Sequence, residues 1–257
     1  MTSTRPGLLH VEFVMGTAVT LDLRDRHLPA GTLEEAVRHA VAVLHAADRT
    51  FSTWRSDSPV SRLGRGEIAL SQCPAELGAV LRLCDEARTA SGGWFDPWAM
   101  PGGVDPTGLV KGWAAQRALH AMRQVGVRHA TVNAGGDVMV TGDASGDGDG
   151  SGWTIGVTDP SDTTVVITTI QGTGLGVATS GAYERGTLAV DPRTGRRVCR
   201  LASATVVGPD LARADALATA ATAHGPAALD WLQALPGIDA LLVDLDGTVL
   251  TTRGFPE

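Results

Sequence analysis

Apolar residues recur at helical spacing through Leu33, Ala36, Val37, Ala40, Val41 and Leu44, and Thr32 with Glu35 forms a capping box ahead of them, which predicts an amphipathic helix. A second stripe, Leu77, Val80, Leu81 and Cys84, takes Pro74 as its first helical residue and stops at Gly92-Gly93. A third helix, Lys111 to Val125, carries Ala115, Ala118, Leu119 and Met122 on one side and closes at Gly126. Val11 to Leu23 predicts one strand, with a bulge or a close backbone approach at Gly16. Short β-rich runs follow at Ala130 to Val132, Val138 to Val140, Trp153 to Val157, Val165 to Ile170 and Leu175 to Ala178. The stretch Gly142 to Gly152 between two of them reads as a flexible hairpin tip. Ala202 to Val207 adds a strand, an Ala-rich helix runs from Ala212 to His224, Pro226 opens another helix to Leu235, and Ala240 to Val243 finishes as a strand. Helices and strands interleave with hairpins mixed in, which predicts one compact α+β domain over residues 1–257 and not a regular βαβ array.

A hydrophobic content of 43% over 257 residues supplies a full core. Lys and Arg total 21 against 28 Asp and Glu, a formal charge of -7, so no basic field invites nucleic acid or an acidic membrane surface. Met1 to His10 shows no export signal and no run of about 18 apolar residues occurs, so a cytoplasmic protein without a membrane span is expected. Cys73, Cys84 and Cys199 make no C-x-x-C pair and are expected as buried, reduced thiols. The seven histidines show no metal-ligand spacing and are expected mostly in solvent.

Polar clusters sit at the ends of these elements, where binding residues concentrate. Phe51-Ser52-Thr53-Trp54-Arg55 with Ser58 and Ser61-Arg62 joins an aromatic plate to several hydroxyls. Asp105 to Gly112 brings an acid, a flexible backbone and Lys111 to a helix start, which suits either a phosphate or an N-capped turn with a solvated lysine. Asn133-Ala134-Gly135-Gly136-Asp137 permits close approach to a ligand, and serves equally as a hairpin turn. Asp215 and Thr219, four apart on a helix, share one face. They offer two oxygens to a hard cation such as Mg²⁺, or else Asp215 favours the helix dipole while Thr219 bonds back to a carbonyl. Asp244-Leu245-Asp246-Gly247-Thr248 copies a phosphatase nucleophile pattern, but only Val249 to Glu257 follow, so it reads as a strand ending in an Asp-Gly turn.

Taken in order, these clusters resemble the FAD:protein FMN transferase family, of the ApbE type, over roughly Val14 to His224. The likeness rests on Met15-Gly16-Thr17, the Phe51 to Arg62 cluster, Phe95-Asp96-Pro97, Asp105 with Gly108 and Lys111-Gly112, and Asn133 to Asp137. It continues through Ala178-Thr179-Ser180-Gly181 with Tyr183-Glu184-Arg185, Asp191-Pro192-Arg193-Thr194-Gly195, and Ala214 to Thr219.

The resemblance implies a two-lobed α+β fold with mixed sheets, flanking helices and a cofactor cleft. It implies FAD contacts from Met15, Trp54, Trp94, Phe95, Asp96, Asp105 and Lys111, and Mg²⁺ on Asp215, Thr219, the Ala218 carbonyl and the Gly108 backbone. The implied reaction is attack by a Thr or Ser hydroxyl of an acceptor protein on the FMN-side phosphorus, expelling AMP. Asp105, Asp215 and Lys111 are then the catalytic candidates. Trp54 stands where the family usually has Tyr, and Leu188 where it usually has His, three residues ahead of Asp191. FAD hydrolysis and plain flavin binding are the alternative readings of such a site.

Overall fold

Residues 7–181 and 189–256 are described by a computed structural model. The chain runs through β1 (Leu8–Val14), β2 (Thr17–Leu23), α1 (Ala30–Phe51), α2 (Pro59–Gly64), α3 (Ala75–Ala90) and α4 (Thr107–Gln124). It continues as β3 (Ala130–Ala134), β4 (Asp137–Thr141), β5 (Trp153–Thr158), β6 (Val166–Gly172), β7 (Gly176–Gly181), β8 (Ala189–Asp191) and β9 (Arg196–Val198). β10 (Ser203–Gly208), α5 (Leu211–His224), α6 (Ala228–Ala234), β11 (Asp239–Val243) and β12 (Val249–Thr251) complete it. One sheet orders eight strands as β1-β2-β3-β4-β7-β10-β11-β12, and β5-β6 and β8-β9 form separate ribbons. This is the α+β arrangement of the sequence pattern, with every described pairing antiparallel.

The expected single strand over Val11 to Leu23 is a hairpin. Val14 pairs with Thr17 across a two-residue turn in which Met15 and Gly16 both take positive φ, 54° and 71°. Such a turn matches the twist of its strands, but it usually draws Asn-Gly, so Met15 gave no signal. Val19, Leu21 and Leu23 then face the core while Leu9, Val11 and Phe13 face outward.

On the inner face, α1 buries Leu33, Ala36, Val37, Ala40, Leu44, Ala47 and Phe51, as its spacing predicts. Its start differs. The backbone turns at Pro29, whose carbonyl accepts from Thr32 and Leu33, so Thr32 lies inside the first turn and no capping box forms. Helix α4 begins at Thr107, four residues before Lys111, because the Asp105 carboxylate accepts the Thr107 N–H at 2.9 Å and closes the first turn early. Pro74 is the N-cap of α3 and not its first helical residue.

Helix α5 lies against α4 on one side and β7 and β10 on the other. Alanines 212, 214, 216, 218, 220, 221 and 223 are all buried, and only such small side chains allow contact on several faces at once. Two glycines complete the fit: a Cβ on Gly112 would lie 2.5 Å from the Leu211 carbonyl oxygen, and one on Gly176 would lie 2.9 Å from Leu211 Cβ.

Residues 142–152 are not a hairpin tip, because β4 pairs with β3 and β7 whereas β5 pairs with β6; the stretch carries the chain from the large sheet into a ribbon. The buried Asp143 fixes its start, accepting from Ser145 Oγ at 2.8 Å and Gly146 N at 3.0 Å. The Asp244 to Thr248 stretch is the β11–β12 turn, as expected, with Asp244 N bonded to the Thr248 carbonyl. Among the cysteines, all unbridged, Cys84 is buried and burial pushes its thiol up to about 12. Cys73 is half-buried and Cys199 exposed, contrary to the expectation of three buried thiols. No helix among the described residues is long and apolar enough to cross a membrane.

Candidate functional site

The β3–β4 hairpin turns on Gly135 and Gly136, at φ 64° and 99°, with Asn133 Oδ1 accepting the Gly136 N–H at 2.9 Å. A Cβ on Gly135 would meet Thr17 Oγ1 at 2.5 Å, so this turn packs directly on the start of β2. Immediately after the turn, Asp137 is fully buried. Its carboxylate pairs with Lys111 Nζ from the second turn of α4, and its other oxygen accepts the Thr179 N–H of β7 at 3.3 Å. The glycine pair therefore delivers a buried acid to a helix lysine. Sequence reasoning gave Asp137 no role of its own; its signal was a lone acid heading the apolar run Val138-Met139-Val140.

One turn away, α4 crosses α5. Asp215 is 3% exposed and its Oδ2 accepts the Gly112 N–H at 3.0 Å, while Thr219 Oγ1 donates to the Gly108 carbonyl at 3.3 Å. The Ala218 carbonyl accepts from Thr222 Oγ1 at 2.9 Å in addition to its place in the helix ladder. The N-cap of α5 is Asp210, bonded to Arg213 N at 2.8 Å, so Asp215 lies beyond the first turn. Gly108 lacks a side chain for a reason, since a Cβ there would come within 3.0 Å of Thr219 and 3.3 Å of the Phe95 ring. Among the described residues no group of three His, Cys, Asp or Glu could hold a metal. A cation here would need the mixed set of carboxylate, hydroxyl and carbonyl oxygens, and those donors fit Mg²⁺ in kind.

The remaining cofactor candidates differ in exposure. Met15 is half-buried at its turn, whereas Trp54 is 97% exposed at the end of α1. The nearby hydroxyls hold the loop itself: Ser58 Oγ donates to the Ser52 carbonyl at 2.7 Å and accepts the Ser61 N–H at 3.1 Å as the cap of α2, a helix the sequence did not reveal. Phe95 is buried; Asp96 accepts from Trp98 N at 3.0 Å and pairs with Arg88 at 3.0 Å. Half-buried Asp105 ties that loop to α4, its own N–H bonding the Pro97 carbonyl at 2.9 Å. Tyr183, Glu184, Arg185 and Leu188 lie outside the described residues. Two surface hollows, of about 390 and 290 Å³, are lined by other residues, among them Leu109 and Asp210 in the larger.

Trp94 is buried beneath a ring and a guanidinium. The His224 ring stacks on it at 4.2 Å and 17°, and the Arg193 guanidinium lies 4.1 Å from the indole centre. Trp231 Nε1 donates to His224 Nδ1 at 3.0 Å, which leaves the imidazole proton on Nε2. His224 is thus half-buried and not in solvent, joining three distant segments in a way no spacing rule reveals. Burial, with the Arg193 and Arg200 charges behind it and Asp230 opposing, holds His224 below its ordinary value of 6.5. The unfolded chain takes up a proton at that value while the folded chain resists, so this contribution is complete above it and falls as pH drops through it. His224→Phe keeps the stack without the titration. Its melting temperature should fall less than the wild-type value between about pH 7.5 and 5, and parallel slopes would show that His224 is not responsible.

The fold is that of solved flavin transferases. The chain superposes on the flavin transferase ApbE from Vibrio cholerae with a TM-score of 0.82 at 19% identity, covering 97% of this chain and 98% of that one. For the ApbE protein from Thermotoga maritima the TM-score is 0.83 at 21% identity, covering 96% and 97%. The model of the ApbE family matches residues 15–102 and 99–242, and the chain belongs to that family. An FAD:protein FMN transferase of Rhodobacter capsulatus is 32% identical over 160 residues, 58% of this chain and 29% of its own length. One from Klebsiella pneumoniae (strain 342) is 26% identical over 164 residues, 60% and 46%. The match thus spans less than half the length of either curated relative.

Proposed function

We propose that the chain transfers FMN from FAD to a Thr or Ser hydroxyl of an acceptor protein, with Mg²⁺ as its metal and AMP as the leaving group. The observation that carries this is the meeting, where α4 crosses α5, of a buried Lys111–Asp137 pair with the oxygen donors of Asp215, Thr219 and Gly108. The names of both curated relatives supply the substrates. One continuous buried cluster, reaching from Val14 to Leu242, supports a single working unit.

In this reading Asp215, Thr219 and the carbonyls of Gly108 and Ala218 hold Mg²⁺, which supplies positive charge to the pyrophosphate oxygens. Lys111, oriented by Asp137, directs its ammonium at the same oxygens. The acceptor hydroxyl's proton passes to a carboxylate, Asp105 or Asp215, as that oxygen bonds to the FMN-side phosphorus and the bond to AMP breaks. Met15, exposed Trp54 and the Trp94 to Asp96 loop grip the dinucleotide; because Trp94 is buried and the Arg193 that lies over it is exposed, Arg193 would meet a ligand there first. Incubation with FAD, Mg²⁺ and a Thr-bearing acceptor should release AMP in step with a fluorescent acceptor band. AMP with free FMN and no band would make the protein a hydrolase, and no AMP at all would leave only a flavin binder.

A further inference from the structure

The eight-stranded sheet ends differently on its two sides. Strand β12 closes one edge with three residues, whereas β1 runs for seven without a proline, a lysine or a bulge. Among the described residues β1 pairs only with β2. Exposed edges are ordinarily blunted by such devices, because their free amides and carbonyls invite another strand. Which groups of β1 are free follows from the ladder. Arg24 N bonds the His129 carbonyl at 2.8 Å, so by alternation the even-numbered positions of β2 turn their amides and carbonyls to β3 and the odd ones to β1. The β1 partners of those odd positions are Leu8, His10, Glu12 and Val14, which leaves the backbone groups of Leu9, Val11 and Phe13 directed away from the sheet. The same three residues carry exposed apolar side chains, Phe13 with 79% of its surface open to water.

This pattern is complementary to itself. Turned about a two-fold axis through Val11, a second β1 runs antiparallel to the first, with Val11 opposite Val11, Leu9 opposite Phe13 and His10 opposite Glu12. Every free amide and carbonyl of Leu9, Val11 and Phe13 then meets its counterpart in the other copy. A slip of one residue would set free groups against groups already bonded to β2, and apolar side chains against polar ones. On the solvent face, Leu9–Phe13 pairs flank the central valines. On the helix face, each copy's His10 imidazole stands opposite the other's Glu12, a carboxylate that is already hydrogen-bonded to His10 at 3.1 Å and to His45 of α1 at 2.9 Å. We propose that the chain forms a two-fold dimer by pairing β1 with β1 of a second copy, joining the two large sheets into one. The hairpin that ends in Met15 is then held along both edges.

Sedimentation equilibrium of the full chain at about 50 μM should give a mass near twice 26.6 kDa. Because position 11 faces itself, Val11→Lys and Val11→Glu should each weaken self-association roughly tenfold or more by setting like charges opposite each other. An equimolar mixture of the two variants should restore the dimer through a Lys–Glu pair. Val11 is exposed and its amide points away from β2, so both variants should keep the wild-type circular dichroism. In the wild type, the Val11 and Phe13 amides should exchange freely with solvent in dilute solution and become protected as the dimer forms. A monomeric wild type overturns the proposal, as does a dimer that both single variants leave intact. A mixture of folded variants that stays monomeric overturns it too. Should a variant fail to fold, the wild-type exchange still decides: amides left unprotected at concentrations where the mass has doubled place the contact elsewhere and refute the β1 pairing.

Discussion

Asp215→Asn should slow AMP release from FAD by on the order of a hundredfold or more, a loss of several kcal/mol in transition-state stabilisation. The substitution keeps size and an acceptor oxygen for the Gly112 N–H, so the crossing of α4 and α5 is retained while the charge is removed. A hard divalent cation depends on that charge, and the Mg²⁺ concentration for half-maximal turnover should rise steeply. FAD should still bind. Thr219→Val removes one neutral oxygen and should act in the same direction more mildly. If Asp215 serves only the packing of the helices, the variant should instead melt earlier, by about 1 to 2 kcal/mol for a weakened buried hydrogen bond, with turnover at saturating Mg²⁺ intact. AMP release measured against Mg²⁺ concentration separates the two accounts, and an unchanged Mg²⁺ dependence refutes the metal assignment.

Lys111→Met should cost about 3 kcal/mol of stability, because it removes a cation from a carboxylate that has no exposure to water. The same change should weaken FAD binding, since the ammonium is proposed to face the pyrophosphate. Lys111→Met with Asp137→Leu replaces the pair by apolar groups and should recover much of the stability, short of the Thr179 N–H that Asp137 also satisfies. FAD affinity should not return with it. Denaturant unfolding and flavin titration of the three variants provide the check. A single variant as stable as wild type, or a double variant less stable than the single, removes the buried pair as an organising contact.

The helices were legible where one face carries their stability: the stripes of α1, α3 and α4 follow from burial on a 3.6-residue period, whereas α5, buried on several faces, was legible from its run of alanines. Strands β3 to β7, β10 and β11 were legible as short β-branched runs. The β1–β2 turn was not, because Met15 occupies a conformation that turn rules assign to Asn or Gly. The pairing of β4 with β7 across an inserted ribbon was equally hidden, since periodicity carries no information on which strands meet. In the site, Asp215 and Thr219 were visible as neighbours by helix geometry alone. Lys111 and Asp137, 26 residues apart, meet only through the sheet, and Trp94, Arg193 and His224 only through the complete fold.

Clamped between α4 and two strands, α5 has no free direction in which to shift: rotation would drive its neighbours into Leu211, and sliding would carry Asp215 off the Gly112 amide. The oxygens it contributes are therefore held at fixed positions before any ligand arrives. The conformational entropy of arranging them is borne by folding and not by binding, which is the condition for strong electrostatic effect on a reacting phosphorus. In the proposed reading, adjustment to an incoming dinucleotide falls to the exposed Trp54 segment, where recognition varies without moving the oxygens of α5.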